Sequence, residues 1–129
     1  MDEFEQWNKV KILTQNRARQ PYYRERQVWW CRIGQNIGKE MNGKNEYFTR
    51  PVLILKRVSG ELLVCLPLTH TLREDEYNTS FYFEYDLHCV NINQIRSLDS
   101  KRLTERVGTI SKPLYMKIMG KLNILLNRK

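Results

Sequence analysis

The sequence predicts an α+β chain, mainly β: an antiparallel sheet curled into a partly open barrel, with one helix before it and one after. Three observations point there. Phe4, Trp7, Val10 and Leu13 recur at helical spacing between charged residues, which is one apolar stripe on a helix. At least five short runs of β-branched and aromatic residues follow, broken by Gly, Asn and Ser, and so many short strands in a small chain favour a curled sheet. Leu114, Tyr115, Ile118, Met119, Leu122, Leu125 and Leu126 then form a broad apolar face on a closing helix. At 129 residues the chain fits one globular unit with a real core.

The first helix is expected over residues 2 to 19, capped by Asp2 with Glu5 three residues on, and stopped by Pro21. Its stripe is expected to dock on the barrel or a sister subunit, away from the chemistry. Gln27 to Ile33 opens the β body, and alternation sends Trp29 and Trp30 to opposite faces. Gly34 to Glu46 has the Gly and Asn content of a long mobile loop of the kind that forms functional lids. Pro51 to Val58 and Glu61 to Pro67 read as a hairpin around Ser59-Gly60. Ser80 to Tyr85, Cys89 to Arg96 and Val107 to Ile110 read as further strands. Asp99 caps a short turn over Ser100 to Leu103, and Ser111 caps the last helix.

The net charge is +8, and it is unevenly placed. From Gln94 to Lys129 basic residues outnumber acidic ones nine to two, which suits a polyanion or an acidic protein partner, although a solvated helix face gives the same count. No apolar run reaches the length of a membrane span and the acidic start is unlike a secretory signal, so a cytoplasmic location and no membrane contact are expected. Cys31, Cys65 and Cys89 are odd in number, lack Cys-x-x-Cys spacing and sit among apolar neighbours. They are expected to be buried free thiols. No metal site or other cofactor is expected, because His70 and His88 stand at no ligand spacing from them.

No phosphate-binding Gly-rich loop, nucleophile elbow or paired His/Asp spacing is present. Metal-free RNA cleavage stays open, since the substrate carries its own nucleophile, the 2′-hydroxyl. Such a site needs a base, an acid for the leaving 5′-oxygen, and a cation where charge accumulates. Arg50 suits the last role, because a guanidinium stays charged and grips phosphate oxygens as a fork. Thr69 supplies a hydroxyl at a strand end. The two converge on one phosphate if their strands are antiparallel neighbours.

Four segments, Gly38-Lys39-Glu40-Met41-Asn42-Gly43, Thr49-Arg50-Pro51-Val52-Leu53-Ile54-Leu55, Leu66-Pro67-Leu68-Thr69-His70 and Asn93 to Leu103, together resemble the MazF/PemK family of toxin endoribonucleases. The resemblance covers roughly residues 26 to 126. It implies an SH3-like barrel over 26–129, with 1–25 as a helical extension to which no family role carries over. It further implies a toxin of a type II toxin–antitoxin pair that cuts single-stranded mRNA without metal, leaving a 2′,3′-cyclic phosphate. A homodimer and an acidic antitoxin partner are implied as well.

Arg50 and Thr69 fall on the family's catalytic Arg and Ser/Thr. Glu40 matches an acidic residue implicated in catalysis in some members and is the candidate base. Lys39, Asn42, His70, Asn93 and Arg96 are the expected RNA contacts, with Arg96 alternatively pairing with a neighbour. His70 would face away from Thr69 if the strand continued through it, and His88 reads as a surface or satisfied polar residue. Trp29, Trp30, Tyr47 and Phe48 are candidates for base stacking. The chain departs from the family in three places: Lys44 to Thr49 lengthens the loop ahead of Arg50, Asn93 stands where some members carry an acid, and Asn91 where some carry an Arg. A non-enzymatic poison of the CcdB type, or a degenerate RNA- or protein-binding relative, would use the same barrel without the Arg50/Thr69 pair.

Overall fold

The structure, a computed structural model, describes residues 2–18 and 21–128. Helix α1 spans Glu3–Gln15, with the Asp2 carboxylate accepting from the Glu5 amide at 2.8 Å. Its buried face is Trp7, Val10 and Thr14, while Phe4 and Leu13 remain exposed. The stripe is thus rotated from the predicted one, because the helix lands on its partner along one edge. The helix ends at Asn16, whose amide bonds the Ile12 carbonyl, well before Pro21. Arg19, the last residue of the predicted span, lies outside the described residues.

Seven strands follow: β1 (Gln27–Arg32), β2 (Thr49–Arg57), β3 (Leu62–Thr69), β4 (Asn78–Phe83), β5 (Asp86–Asn91), β6 (Arg96–Asp99) and β7 (Leu103–Thr109). Helix α2 (Lys112–Asn127) closes the chain, with the Ser111 hydroxyl accepting from the Leu114 amide. Every pairing is antiparallel, in the order β4-β5-β3-β2-β1-β7, with β6 also on β3. Because β6 pairs with β3, β7 pairs with β1, and only the 3-10 turn Ser100–Arg102 separates β6 from β7, strands β6-β3-β2-β1-β7 curl into a partly open barrel.

Period-two alternation divides the core in two. Val52 and Ile54 of β2 and Leu63 and Cys65 of β3 pack with Tyr23, Trp29, Cys31, Ile33, Leu98 and Leu103 in one cluster. Leu53, Leu55, Leu66 and Leu68 point the other way and pack with Val90, Ile92, Ile118 and Leu122, placing α2 over that face. Tyr23 is fully buried, its hydroxyl donating to the Leu62 carbonyl at 3.0 Å. Trp29 is buried and Trp30 is 39% exposed, as alternation predicts. Of the predicted α2 face, Leu126 is exposed.

Strand β6 has no counterpart among the predicted strands. Arg96-Ser97-Leu98-Asp99 buries only Leu98, so it carries too little apolar alternation to announce itself, and β3 imposes the pairing. Strand β5 starts at Asp86 and β7 at Leu103, both ahead of the predicted starts, since polar positions on their exposed faces hid the ladder.

The Gly34 to Glu46 segment is tied down, unlike the free lid its composition suggests. Gly34 donates to the Phe48 carbonyl at 3.2 Å, Gly43 to the Gly34 carbonyl at 2.7 Å, and Lys44 and Thr49 exchange amide bonds at 2.8 Å. Asn36 Nδ2 reaches the Met41 carbonyl at 2.9 Å and the Ile33 carbonyl at 3.2 Å. Gly34 has φ +94°, and a Cβ there would collide with the indole of Trp7. Trp7, Val10 and Phe48 form a small core of their own. Helix α1 therefore docks on the barrel, but on the segment that leads directly into Arg50.

Among the described residues no helix is long and apolar enough to cross a membrane.

Candidate active site

Arg50 enters β2 and Thr69 ends β3. The β2–β3 register pairs Val52 with Pro67, and continuing it two residues sets Arg50 opposite Thr69. Side chains opposite one another in a ladder share a face. Both line one cleft of about 250 Å³, together with Trp30, Lys44, His70 and His88. The convergence required of the two strands is met.

Arg50 is partly buried, and its Nε donates to the Asn42 carbonyl while Nη1 donates to the Leu68 carbonyl at 3.3 Å. Burial lowers its pKa from the ordinary guanidinium value, because desolvation penalises the charged form. Two carbonyls aim the fork, and neither of these bonds uses Nη2. Thr69 Oγ1 accepts from the Thr71 amide at 3.2 Å, so its own O–H remains available as a donor.

The β3–β5 register pairs Thr69 with Cys89, and one further step sets His70 opposite His88. Their rings lie 5.1 Å apart at 33°. Strand β3 stops at Thr69, so strict alternation no longer governs His70, and it lines the same cleft as Thr69. His70 Nδ1 is 2.9 Å from the Leu87 carbonyl and Nε2 is 3.8 Å from Asp86 Oδ2. His88 is half-buried, its ring 6.1 Å from Phe81 and 6.3 Å from Phe83. Burial, and then the neighbouring His70, push its pKa below the usual imidazole value.

The other candidates lie elsewhere. Glu40 lines a separate depression of about 500 Å³ with Lys39, Asn93, Gln94 and Arg96. Its Oε1 accepts from the Ile37 amide at 2.9 Å, a bond within its own loop. The structure does not bring Glu40 into the cleft of Arg50 and Thr69. Asn42 acts through its carbonyl on Arg50, and its Oδ1 accepts from the Asn36 amide at 2.6 Å. Asn93 is exposed, its amide held by Asn91 Oδ1 at 3.2 Å. Trp29 and Phe48 are core residues, which leaves Trp30 and Tyr47 as the exposed aromatics; Arg32 lies over the Tyr47 ring at 5.3 Å.

Two residues hold places that the sequence does not announce, His88, which reads locally as a surface or satisfied polar residue, and Gln94. His88 joins the cleft only because β5 pairs with β3, and the signal was the His at the matching offset in Leu87-His88-Cys89-Val90. Gln94 clamps the loop: its Oε1 accepts from the Met41 amide and its Nε2 donates to the Lys39 carbonyl, both at 2.9 Å. Both bonds cross more than fifty residues of sequence.

This architecture recurs in solved structures. MazF from Deinococcus radiodurans superposes with a TM-score of 0.68 at 23% identity, covering 84% of this chain and 98% of that one. An endoribonuclease in complex with its cognate antitoxin from a mycobacterial species gives 0.65 at 19% identity, over 84% and 98% of the two chains. A MazE–MazF complex from Deinococcus radiodurans gives 0.62 at 20% identity, over 87% and 100%. At such identities the likeness concerns the fold. No curated protein matches by sequence. The profile of the PemK-like, MazF-like toxins of type II toxin–antitoxin systems matches residues 24–126, and the chain belongs to that family.

Proposed function

We propose that this protein is a toxin endoribonuclease that cleaves single-stranded RNA by internal attack of the 2′-hydroxyl, without a metal ion. The observation that carries this reading is the convergence of Arg50 and Thr69, from facing strands, on one cleft. In the reaction the 2′-oxygen bonds to phosphorus, the bond from phosphorus to the 5′-oxygen breaks, and the products are a 2′,3′-cyclic phosphate and a 5′-hydroxyl. Arg50 takes up the charge that grows on the non-bridging oxygens, and the Thr69 hydroxyl donates to one of them. Lys39, Asn93 and Arg96, in the neighbouring depression, contact the RNA flanking the cut. The structural relatives solved with antitoxins support an acidic antitoxin as the partner that silences the toxin, and the basic excess after Gln94 suits it electrostatically. A homodimer in the cytoplasm completes the reading.

The test is cleavage of single-stranded RNA in the presence of EDTA. The wild-type chain should cut and leave cyclic phosphate ends, and Arg50→Ala should lose about 10²- to 10³-fold or more with its circular dichroism retained. Wild-type cleavage by Arg50→Ala, or strict dependence on added magnesium, would overturn the reading.

A further inference from the structure

We propose that His88 and His70 are the general base and the general acid of this cleavage, an inference that rests on the endoribonuclease reading above. A 2′-hydroxyl must lose its proton as it attacks, and the departing 5′-oxygen must gain one. Neither Arg50 nor Thr69 is suited to accept a proton. Among the described residues that line the cleft none carries a carboxylate. Glu40 is engaged with Ile37 in a different depression, and Asn93 has no acid to offer. The two imidazoles are what remains, side by side in the cleft and opposite one another by register.

Their surroundings divide the roles. His88 is half-buried, its ring packed against those of Phe81 and Phe83. Burial first, and then the neighbouring His70, disfavour a positive charge on His88 and outweigh the opposing pull of Asp86. His88 is the neutral base that takes the 2′-proton. His70, at the open end, has Nδ1–H on the Leu87 carbonyl and the Asp86 carboxylate facing Nε2 from 3.8 Å. That separation exceeds a hydrogen bond, so an Nε2–H is oriented yet free to pass to the 5′-oxygen. One proton leaves the 2′-oxygen for His88 and one leaves His70 for the 5′-oxygen, so the step balances; hydrolysis of the cyclic ester would run the exchange backwards.

The experiment uses the full chain and a single-stranded RNA oligonucleotide that it cuts, with kcat/KM measured from acidic to alkaline pH. The wild type should give a bell, its acid limb reporting the base and its alkaline limb the acid. His88→Asn should cost about 10²- to 10⁴-fold and erase the acid limb, and His70→Asn should cost a similar factor and erase the alkaline limb. Replacing the scissile 5′-oxygen by sulfur makes a leaving group that needs no proton. This substrate should restore most of the rate to His70→Asn and none to His88→Asn.

Wild-type rates and an unchanged bell in both folded variants would remove the pair and leave the ribonuclease reading standing. Should either variant fail to fold, the wild-type profile decides: no acid limb with the oxygen substrate, or an alkaline limb that persists with the sulfur substrate, also overturns the assignment. A wild-type chain that cuts no RNA removes the ribonuclease reading, and the pair with it.

Discussion

Trp7 lies against Gly34 so closely that only a residue without a side chain fits beneath the indole. The same indole is 5.7 Å from the Phe48 ring, and Arg102 stands over it at 5.6 Å. Trp7→Ala should therefore lower unfolding stability by about 3 kcal/mol or more, the usual range for emptying a buried Trp site. Gly34 and Phe48 bracket the segment that supplies the Asn42 carbonyl to Arg50, so RNA cleavage should fall as well. Chemical denaturation and an RNA assay on the same variant check both. Deleting residues 1–20 should do the same; a truncated chain that is equally stable and equally active would show that the helix is dispensable to the loop.

Gln94 is a positioning residue for the loop and touches no reacting atom. Gln94→Ala removes two hydrogen bonds, each worth about 0.5–1.5 kcal/mol net, and releases Lys39 and Met41. KM for RNA should rise more than kcat falls, because the flanking contacts loosen while the Arg50/Thr69 pair stays in place. Gln94→Glu keeps the acceptor for the Met41 amide and sets an anion against the Lys39 carbonyl, so it should bind RNA no better than Gln94→Ala. A selective loss of kcat in either variant would contradict this division.

Stability should fall in two stages on acidification. His88 has a folded pKa below its unfolded value of roughly 6.5, so above that pH both states are neutral and the group contributes nothing. As pH drops beneath it the unfolded chain binds the proton first, and stability declines until the folded pKa is passed. Glu74 adds a second loss of the same sign at lower pH. Its hydrogen bond from Lys121, above all, holds its carboxyl below the ordinary value, so it contributes above the unfolded carboxylate range and that contribution is lost as pH falls through the folded pKa. Denaturant midpoints measured against pH should show both stages, and His88→Gln should delete the first alone. Glu74 is largely exposed, so the second stage is shallow.

The fold was legible wherever local chemistry decides it. Asp2, Asp99 and Ser111 each cap the turn or helix that their position predicts, because a cap is settled within a few residues. Trp29 and Trp30 divide between core and cleft as alternation demands, and the three cysteines are buried and free, with burial pushing the Cys65 thiol up to about 12. What stayed hidden depends on partners far along the chain. The face of α1 is chosen by Gly34 and Phe48, the strand at Arg96–Asp99 exists because β3 receives it, and the loop is tethered because Gln94 reaches back to it. The Arg50/Thr69 pair could be read because each ends an apolar run, whereas His88 needed the β3–β5 register to be recognised.

Strand β3 meets β2 along one edge, but on the other it pairs first with β6, over Leu62 to Cys65, and then with β5, at Leu68 and Thr69. Pro67, which has no amide proton to donate, sits where those two partners change over. One strand thereby serves three ladders, and none can open without disturbing the others. Its interior amides belong to the last structure to be surrendered, so in native-state hydrogen exchange Leu63, Cys65 and Leu66 should report the global unfolding free energy. Folding has the complementary constraint: the strands that bring His88 and Arg50 together dock on a common template, so the cleft is assembled only after β3 has found both neighbours.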